Sequence, residues 1–113
     1  MSTSQDTQRY KLVFFTPPTY LPKIKSAIFA AGAGKYGPKY SECCFTTPGI
    51  GQSRPSAEAN PHIGKPGEVE EVGEARCETL CVGRELTKAV VEALKTAHPY
   101  EEVAYEVYKV EDF

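Results

Sequence analysis

Five consecutive residues carry most of the chemically versatile side chains of this sequence. His98-Pro99-Tyr100-Glu101-Glu102 places an imidazole, a phenol and two carboxylates in one short segment. Imidazole and carboxylate groups bind first-row metals, and they also hold ligands that carry hydrogen-bond donors. Adjacent residues of a strand point to opposite faces, so Glu101 and Glu102 would not share one metal ion in an extended segment. The segment predicts a ligand site without a metal; the simpler alternative is a helix terminus stabilised by His98 and followed by solvated glutamates.

The second histidine, His62, lies in a stretch that shows no helix or strand pattern. Eight of the 20 residues from 48 to 67 are glycine or proline. Long loops without secondary structure are unusual in small domains, and they tend to bind ligands or to reach a neighbouring molecule. We therefore predict that His62 joins the ligand site, although a lone histidine on the surface is the simpler alternative.

A glycine-rich segment supplies two more candidates. Residues 32–37, Gly-Ala-Gly-Lys-Tyr-Gly, match G-x-G-x-x-G. That fingerprint binds dinucleotides between a strand and a following helix, whereas here a predicted helix comes first. A helix C-terminus repels phosphate, so a glycine cap and turn is the simpler interpretation. A functional alternative is that backbone N–H groups bind an anion here, together with Lys35 and Tyr36.

The remaining patterns do not indicate catalysis. Serine nucleophile elbows, Walker loops and HExxH motifs are absent from the sequence. The acidic stretch from Glu68 to Glu78 is interpreted as a solvated strand face, because carboxylates that exchange protons with a substrate need a cleft that shifts their pKa. We predict no catalytic residue, no metal ligand and no cofactor.

The four cysteines are predicted to be reduced thiols packed as small hydrophobic residues. Cys43 and Cys44 are adjacent, and Cys77 and Cys81 lie on one face of a predicted strand. Two residues four apart in a strand are separated by about 13 Å, too far for one zinc ion. A zinc site made of Cys43, Cys77 and His98 remains an open alternative.

Length and charge exclude several classes of protein. The chain has 113 residues and a net charge of −2, which fits one domain and excludes a strongly basic nucleic-acid-binding surface. No apolar run approaches the roughly 18 residues of a membrane span, and the polar N-terminus lacks the apolar core of a signal peptide. We expect a cytoplasmic protein that contacts neither membrane nor nucleic acid directly.

The order of predicted elements points to a fold. Residues 1–8 are predicted to be a disordered tail, and residues 9–113 a single domain. Strands are expected over 10–16, 40–47, 69–82 and 103–110, with a bulge or bend at Gly73 in the third. One helix follows Thr19 as its N-cap and ends at Gly32, and the second spans about 84–97. A long loop covers 48–67.

This β-α-β-β-α-β order is that of a ferredoxin-like, two-layer α+β sandwich. Two helices cover one face of a four-stranded sheet, yet the first and last strands carry apolar side chains on both faces. An uncovered apolar face usually marks an interface, so we predict a homo-oligomer. The alternative is that the tail or the long loop covers this face.

Several phrases together resemble a known family. They are residues 30–34 (AAGAG), 40–45 (YSECCF), 59–64 (ANPHIG), 67–72 (GEVEEV) and 97–105 (AHPYEEVAY). The sequence resembles a stand-alone version of the domain inserted in Nif-three-like proteins (the NGG-one-interacting factor family), over about residues 9–110. One departure is that Ser53 precedes Arg54-Pro55 where relatives tend to have an aromatic residue, so an anchor of the long loop is missing.

The resemblance implies a CutA/PII-like fold that forms trimers. It also implies that the hydrolase or cyclohydrolase activity and two-metal site of larger members belong to a core outside this domain. We therefore expect a regulatory module that binds a small ligand at subunit clefts, with an anion or another protein as the candidate partner. The predicted ligand-binding residues are Lys35, Tyr36, His62, His98, Tyr100, Glu101 and Glu102. A metal-dependent hydrolase and a protein–protein adaptor are the alternatives.

Overall fold

The computed structural model describes residues 6–113 and contains one four-stranded sheet covered by two helices. The strands are β1 (Arg9–Thr16), β2 (Phe45–Ser53), β3 (Glu70–Val82) and β4 (Tyr105–Val110). The helices are α1 (Leu21–Ala30) and α2 (Arg84–Ala97), and a short 3-10 turn (Pro18–Tyr20) precedes α1. The order β2-β3-β1-β4, with every pair antiparallel, confirms the predicted ferredoxin-like α+β fold.

The core lies between the helices and one face of the sheet. From β1, Leu12 and Phe14 point into it, and from β3 so do Cys77 and Cys81; all four are fully buried. The helices contribute residues spaced three to four positions apart, which therefore share one face. They are Ile24, Ile28, Val90 and Leu94.

The first helix begins differently from the prediction. Thr19 is not an N-cap, because it lies inside the 3-10 turn, and no side chain caps α1, whose N-cap is Tyr20. The C-terminal prediction is confirmed: Gly32 has φ +116°, a conformation that favours glycine. Its N–H donates to the carbonyl of Phe29, and the next N–H donates to that of Ile28.

The second strand is the largest correction. It was expected over 40–47 with a loop from 48, but it spans Phe45–Ser53 and includes Pro48, Gly49 and Gly51. Proline has no N–H to donate and is therefore confined to edge strands, and β2 is an edge strand. Gly73 forms no bulge, because it pairs with Ile50 in an unbroken register. The irregular loop is therefore shorter than predicted and covers residues 54–69.

The N-terminal residues in the described part of the chain contact α2. The Arg84 N–H donates to the Asp6 carboxylate at 2.7 Å, at the first turn of that helix. This bond, followed by the one from the Gln8 N–H, holds the pKa of the Asp6 carboxyl below its usual value. Of the tail predicted over residues 1–8, residues 1–5 lie outside the described part. Neither α1 nor α2 is long and apolar enough to cross a membrane.

The face of the sheet away from the helices mixes apolar and charged side chains. Val13 is buried there, whereas Phe45 and Tyr108 are exposed. Glu78 pairs with Arg76 at 2.8 Å and with Lys11 at 3.9 Å. The exposed aromatic rings support the predicted interface, although the charged residues make this face less apolar than the sequence suggested.

We expect the four thiols to separate into two reactivity classes. Burial raises the pKa of the Cys77 thiol to about 12 and that of Cys81 to about 11, so both thiols stay protonated and unreactive at pH 8. Iodoacetamide followed by peptide mass mapping should modify the partly exposed Cys43 and Cys44 in the native protein. Cys77 and Cys81 should react only in denaturant; their rapid labelling in the native state would contradict their placement in the core.

Candidate ligand-binding cleft

A cleft of about 320 Å³ lies where the 54–69 loop meets the connection between α2 and β4. The end of the β2–β3 hairpin forms its third wall, through Gly51, Val72 and Glu74. It is lined by Gly51, Gln52, Ser53, Pro55, Ala59, Pro61, His62, Ile63, Glu70, Val72, Glu74, Tyr100, Glu101, Glu102 and Ala104. Four predicted site residues, His62, Tyr100, Glu101 and Glu102, therefore meet in one place although about 40 positions of sequence separate the first from the rest.

Two hydrogen bonds hold the loop over the cleft. The Asn60 N–H donates to Oε1 of Glu101 at 2.7 Å, and the Tyr20 hydroxyl lies 2.8 Å from Nε2 of His62. Both bonds lie at the exposed surface, where water competes for the same groups. The loop is therefore fastened by contacts that exchange readily with water or with a ligand.

The base of the loop is closed by its own residues. Nη1 of Arg54 donates to the carbonyl of Gly67 at 2.9 Å, and the Gly67 N–H donates to the carbonyl of Pro55 at 2.7 Å. These bonds anchor the segment next to Ser53, the position where relatives tend to carry an aromatic residue. The loop base is thus held by backbone and guanidinium contacts.

Four rings form a chain that runs from Tyr20, through His62 and Tyr100 in the cleft, to His98 behind it. His62 packs edge-on against Tyr20, with ring centroids 5.6 Å apart, and lies 6.0 Å from the ring of Tyr100. The ring of Tyr100 in turn meets that of His98 edge-on at 4.8 Å. Edge-to-face ring contacts are attractive, so the two edge-on contacts stabilise this arrangement of rings.

His98 supports the cleft from behind and does not line it. Its Nδ1 accepts the N–H of Tyr100 at 3.1 Å, so the ring hydrogen is on Nε2, which donates to the carbonyl of Phe15 at 2.8 Å. Both nitrogens are thus bonded to the backbone of the same chain, and the side chain is 5% exposed. His98 ties the α2–β4 connection to the end of β1.

Tyr100 and Glu74 both line the cleft. Burial, and after it the Glu74 carboxylate, raises the pKa of the Tyr100 phenol above its usual value. The phenol therefore keeps its proton at neutral pH and can donate it in a hydrogen bond. The sequence pattern predicts a solvated strand face for Glu74, whereas the structure places this residue in the lining of the cleft.

The cleft is acidic. Glu70, Glu74, Glu101 and Glu102 line it, and no lysine or arginine does among residues 6–113. None of these four carboxylates belongs to an ion pair in the described part of the chain. In the same range no three His, Cys, Asp or Glu side chains converge as metal ligands would, and the suggested combination of Cys43, Cys77 and His98 is not brought together.

Lys35 and Tyr36 lie away from the cleft of their own chain. The N–H of the preceding Gly34 donates to the carbonyl of Leu80, six residues along β3 from Glu74. Six residues of strand span about 20 Å. Lys35 and Tyr36 follow Gly34 and are exposed, in a turn at the other end of the sheet.

Sequence reasoning missed Tyr20, Asn60, Glu70 and Glu74. Glu70, Val72 and Glu74 alternate along β3, and this period of two could have placed them on one face. Tyr20 and Asn60 left no comparable signal, because their roles depend on how the loop folds back onto the α2–β4 connection.

Comparison with curated proteins shows which sequences this chain is similar to. The chain is 45% identical over 101 residues to a GTP cyclohydrolase 1 type 2 homolog of Bacillus subtilis, covering 89% of this chain and 26% of that protein. A homolog of the same name from Listeria monocytogenes is 40% identical, with 89% and 27% covered. The chain thus spans about a quarter of the length of these curated relatives. No protein-family model matches it.

Among solved structures, this chain is similar to part of a NIF3-related protein and to smaller proteins of the same fold. The crystal structure of a Bacillus cereus protein related to NIF3 superposes with a TM-score of 0.80 at 36% identity, covering 98% of this chain and 28% of that one. CutA from Archaeoglobus fulgidus gives 0.65 at 13% identity, with 93% and 86% covered, and GlnK from B. subtilis gives 0.55 at 15% identity, with 95% and 85% covered. The last two comparisons show the fold alone, which is CutA/PII-like.

Proposed function

We propose that this chain, which matches one segment of NIF3-related proteins, is an oligomeric regulatory module that binds a small ligand in the cleft and performs no catalysis of its own. The observation that carries the proposal is the meeting of His62, Tyr100, Glu101 and Glu102 around one concave site. Pockets of this volume that combine apolar walls with a few convergent polar groups are typical of small-molecule sites.

The proposed mechanism is a rearrangement of the 54–69 loop on binding. Asn60 and His62 fasten this loop to Glu101 and Tyr20 through bonds at the exposed surface. A ligand that takes over either bond would change the position of the loop, and loop ordering by a ligand is a common way to signal occupancy. The part expected to move excludes 48–53, because those residues belong to β2.

A binding role fits the polar groups better than a catalytic one. Both nitrogens of His98 are engaged by the backbone, so this imidazole is not free to exchange protons with a substrate. The cyclohydrolase activity in the names of the relatives refers to proteins about four times as long as the matched segment. We infer that this segment either regulates such a longer protein or acts as its binding partner.

The sign of the ligand's charge depends on what completes the cleft. Four glutamates with no lysine or arginine among the described lining residues would repel an anion within one chain. The anionic ligand suggested by Lys35 therefore requires that this lysine come from a neighbouring subunit. A homo-oligomer, which we expect to be a trimer, would supply it.

Filling the cleft is expected to abolish ligand retention and leave the fold intact. Ala104 is exposed and lines the cleft, so Ala104→Trp occupies the space where a ligand would lie. Ala57 is exposed in the 54–69 loop and does not line the cleft, so Ala57→Trp is the matched control. Native mass spectrometry of gently purified protein would read the subunit number and any retained molecule together.

The expected result is an oligomer that carries a small molecule in the wild type and in Ala57→Trp, and loss of that molecule, with the fold retained, in Ala104→Trp. A molecule retained equally by all three proteins would place binding elsewhere. A bare wild-type monomer would contradict both the oligomer and the cleft.

A further inference from the structure

The turn formed by residues 35–40, here called the lysine turn, is built like a docking element and has no partner within the chain. Its sequence is Lys-Tyr-Gly-Pro-Lys-Tyr, and all six residues are exposed. Tyr36 is 44% and Tyr40 67% exposed, both large values for aromatic side chains. Exposed aromatic residues beside basic ones are typical of binding surfaces.

The lysine turn is held in shape before any partner binds. The Tyr36 N–H donates to the carbonyl of Tyr40 at 3.0 Å, closing the turn. Pro38 restricts the backbone at its tip, and Gly37 supplies the left-handed conformation with φ +61°. A rigid segment loses little conformational entropy on docking, which favours binding.

The charge of the lysine turn matches that of the cleft. Lys35 and Lys39 form no ion pair with the residues that the structure describes. The cleft has the opposite imbalance, with four unpaired glutamates, and its rings and apolar walls suit tyrosine side chains. Within one chain about 20 Å of β3 separates the two, so they cannot meet without a second copy.

We propose that the lysine turn of one subunit docks at the cleft of the next, and that Lys35 and Tyr36 thereby complete that site. The inference rests on the proposed function, since it names the subunit that closes the cleft. Contact between two different surfaces of identical chains is head-to-tail and closes into a ring when the rotation permits, as in a trimer. It also explains why residues that look like one site in the sequence lie at two ends of the structure.

A charge swap tests the contact. Variant A carries Lys35→Glu and Lys39→Glu. Variant B carries Glu70→Lys and Glu102→Lys, which spares Glu101, bonded to Asn60, and Glu74, which acts on the Tyr100 phenol. The control, Lys23→Glu with Lys88→Glu, makes the same charge change as variant A on exposed helix positions. Analytical ultracentrifugation would measure self-association, and circular dichroism would verify folding of each variant.

The expected result is self-association weakened about tenfold or more in A and in B, unchanged in the control, and restored in a variant that carries all four substitutions of A and B in one chain. In that variant, the reversed turn of each subunit meets the reversed cleft of the next, so every contact of the ring again pairs opposite charges. Weakening without restoration would overturn the proposal, and so would oligomers that survive both swaps. In the second case, the acidic cleft would bind a soluble cation and not the lysine turn of a neighbour. Surviving oligomers would still leave the proposed function standing, whereas a wild-type monomer would remove both.

Discussion

Replacing Gly34 by alanine is expected to lower the free energy of unfolding by about 3 kcal/mol. Gly34 has φ +81°, a conformation that costs a residue with a Cβ roughly 1–2 kcal/mol. A Cβ at this position would also lie 2.8 Å from both the amide nitrogen and the carbonyl oxygen of Cys43. These are backbone atoms that cannot rotate away, so the clash adds to the cost of the conformation.

The same glycine connects two parts of the fold. Its N–H donates to the carbonyl of Leu80 at 2.7 Å, and its carbonyl accepts the N–H of Cys43 at 2.9 Å. Relief of the clash would shift one of these bonds and with it the entry into β2. Because whole domains are stable by only about 5–15 kcal/mol, a loss of this size should shift urea unfolding visibly.

Gly37→Ala is the matched control. Gly37 also has a positive φ, +61°, but a Cβ there would meet nothing within 4 Å. We expect this variant to lose about 1 kcal/mol, from the backbone conformation alone. Both variants should be compared with the wild type at one protein concentration, because association stabilises the folded subunit. Equal losses at the two positions would show that the contact with Cys43 is not as tight as described.

Replacing His98 by alanine is expected to cost about 3 kcal/mol of stability. The imidazole satisfies the carbonyl of Phe15 and the N–H of Tyr100 at once, and each unpaired backbone group costs about 1–3 kcal/mol when it is removed from water. Loss of the buried ring also leaves a cavity behind Tyr100. The α2–β4 connection, which carries Glu101 and Glu102, should then loosen.

His98→Gln separates hydrogen bonding from mere ring volume. Glutamine can place an N–H near the position of Nε2 and keep the bond to Phe15, but it offers no acceptor at the position of Nδ1. We expect it to recover about half of the loss, measured by urea unfolding beside His98→Ala. Hydrogen exchange at Tyr100 should be faster in both variants. If His98→Ala were as stable as the wild type, the supporting role of this histidine would be wrong.

Much of the architecture could be predicted because it depends on local patterns. Ile24 and Ile28 are four residues apart, a spacing typical of one helix face, and glycine at position 32 predicted the end of that helix. The alternation along β3 placed Cys77 and Cys81 in the core. The second strand was misplaced, since glycine and proline are typical of loops and only its position at the sheet edge makes them tolerable in β2.

Only part of the candidate site could be predicted, because its side chains come from segments that are far apart in the chain. The sequence determined which side chains were chemically versatile, and the dense segment from His98 to Glu102 was visible without a structure. Only the tertiary structure decided their roles: His98 turned inward to the backbone, Glu74 joined the cleft, and Lys35 lay about 20 Å away. Side-chain chemistry and periodicity are local properties, whereas distance and burial depend on how segments far apart in the chain pack together.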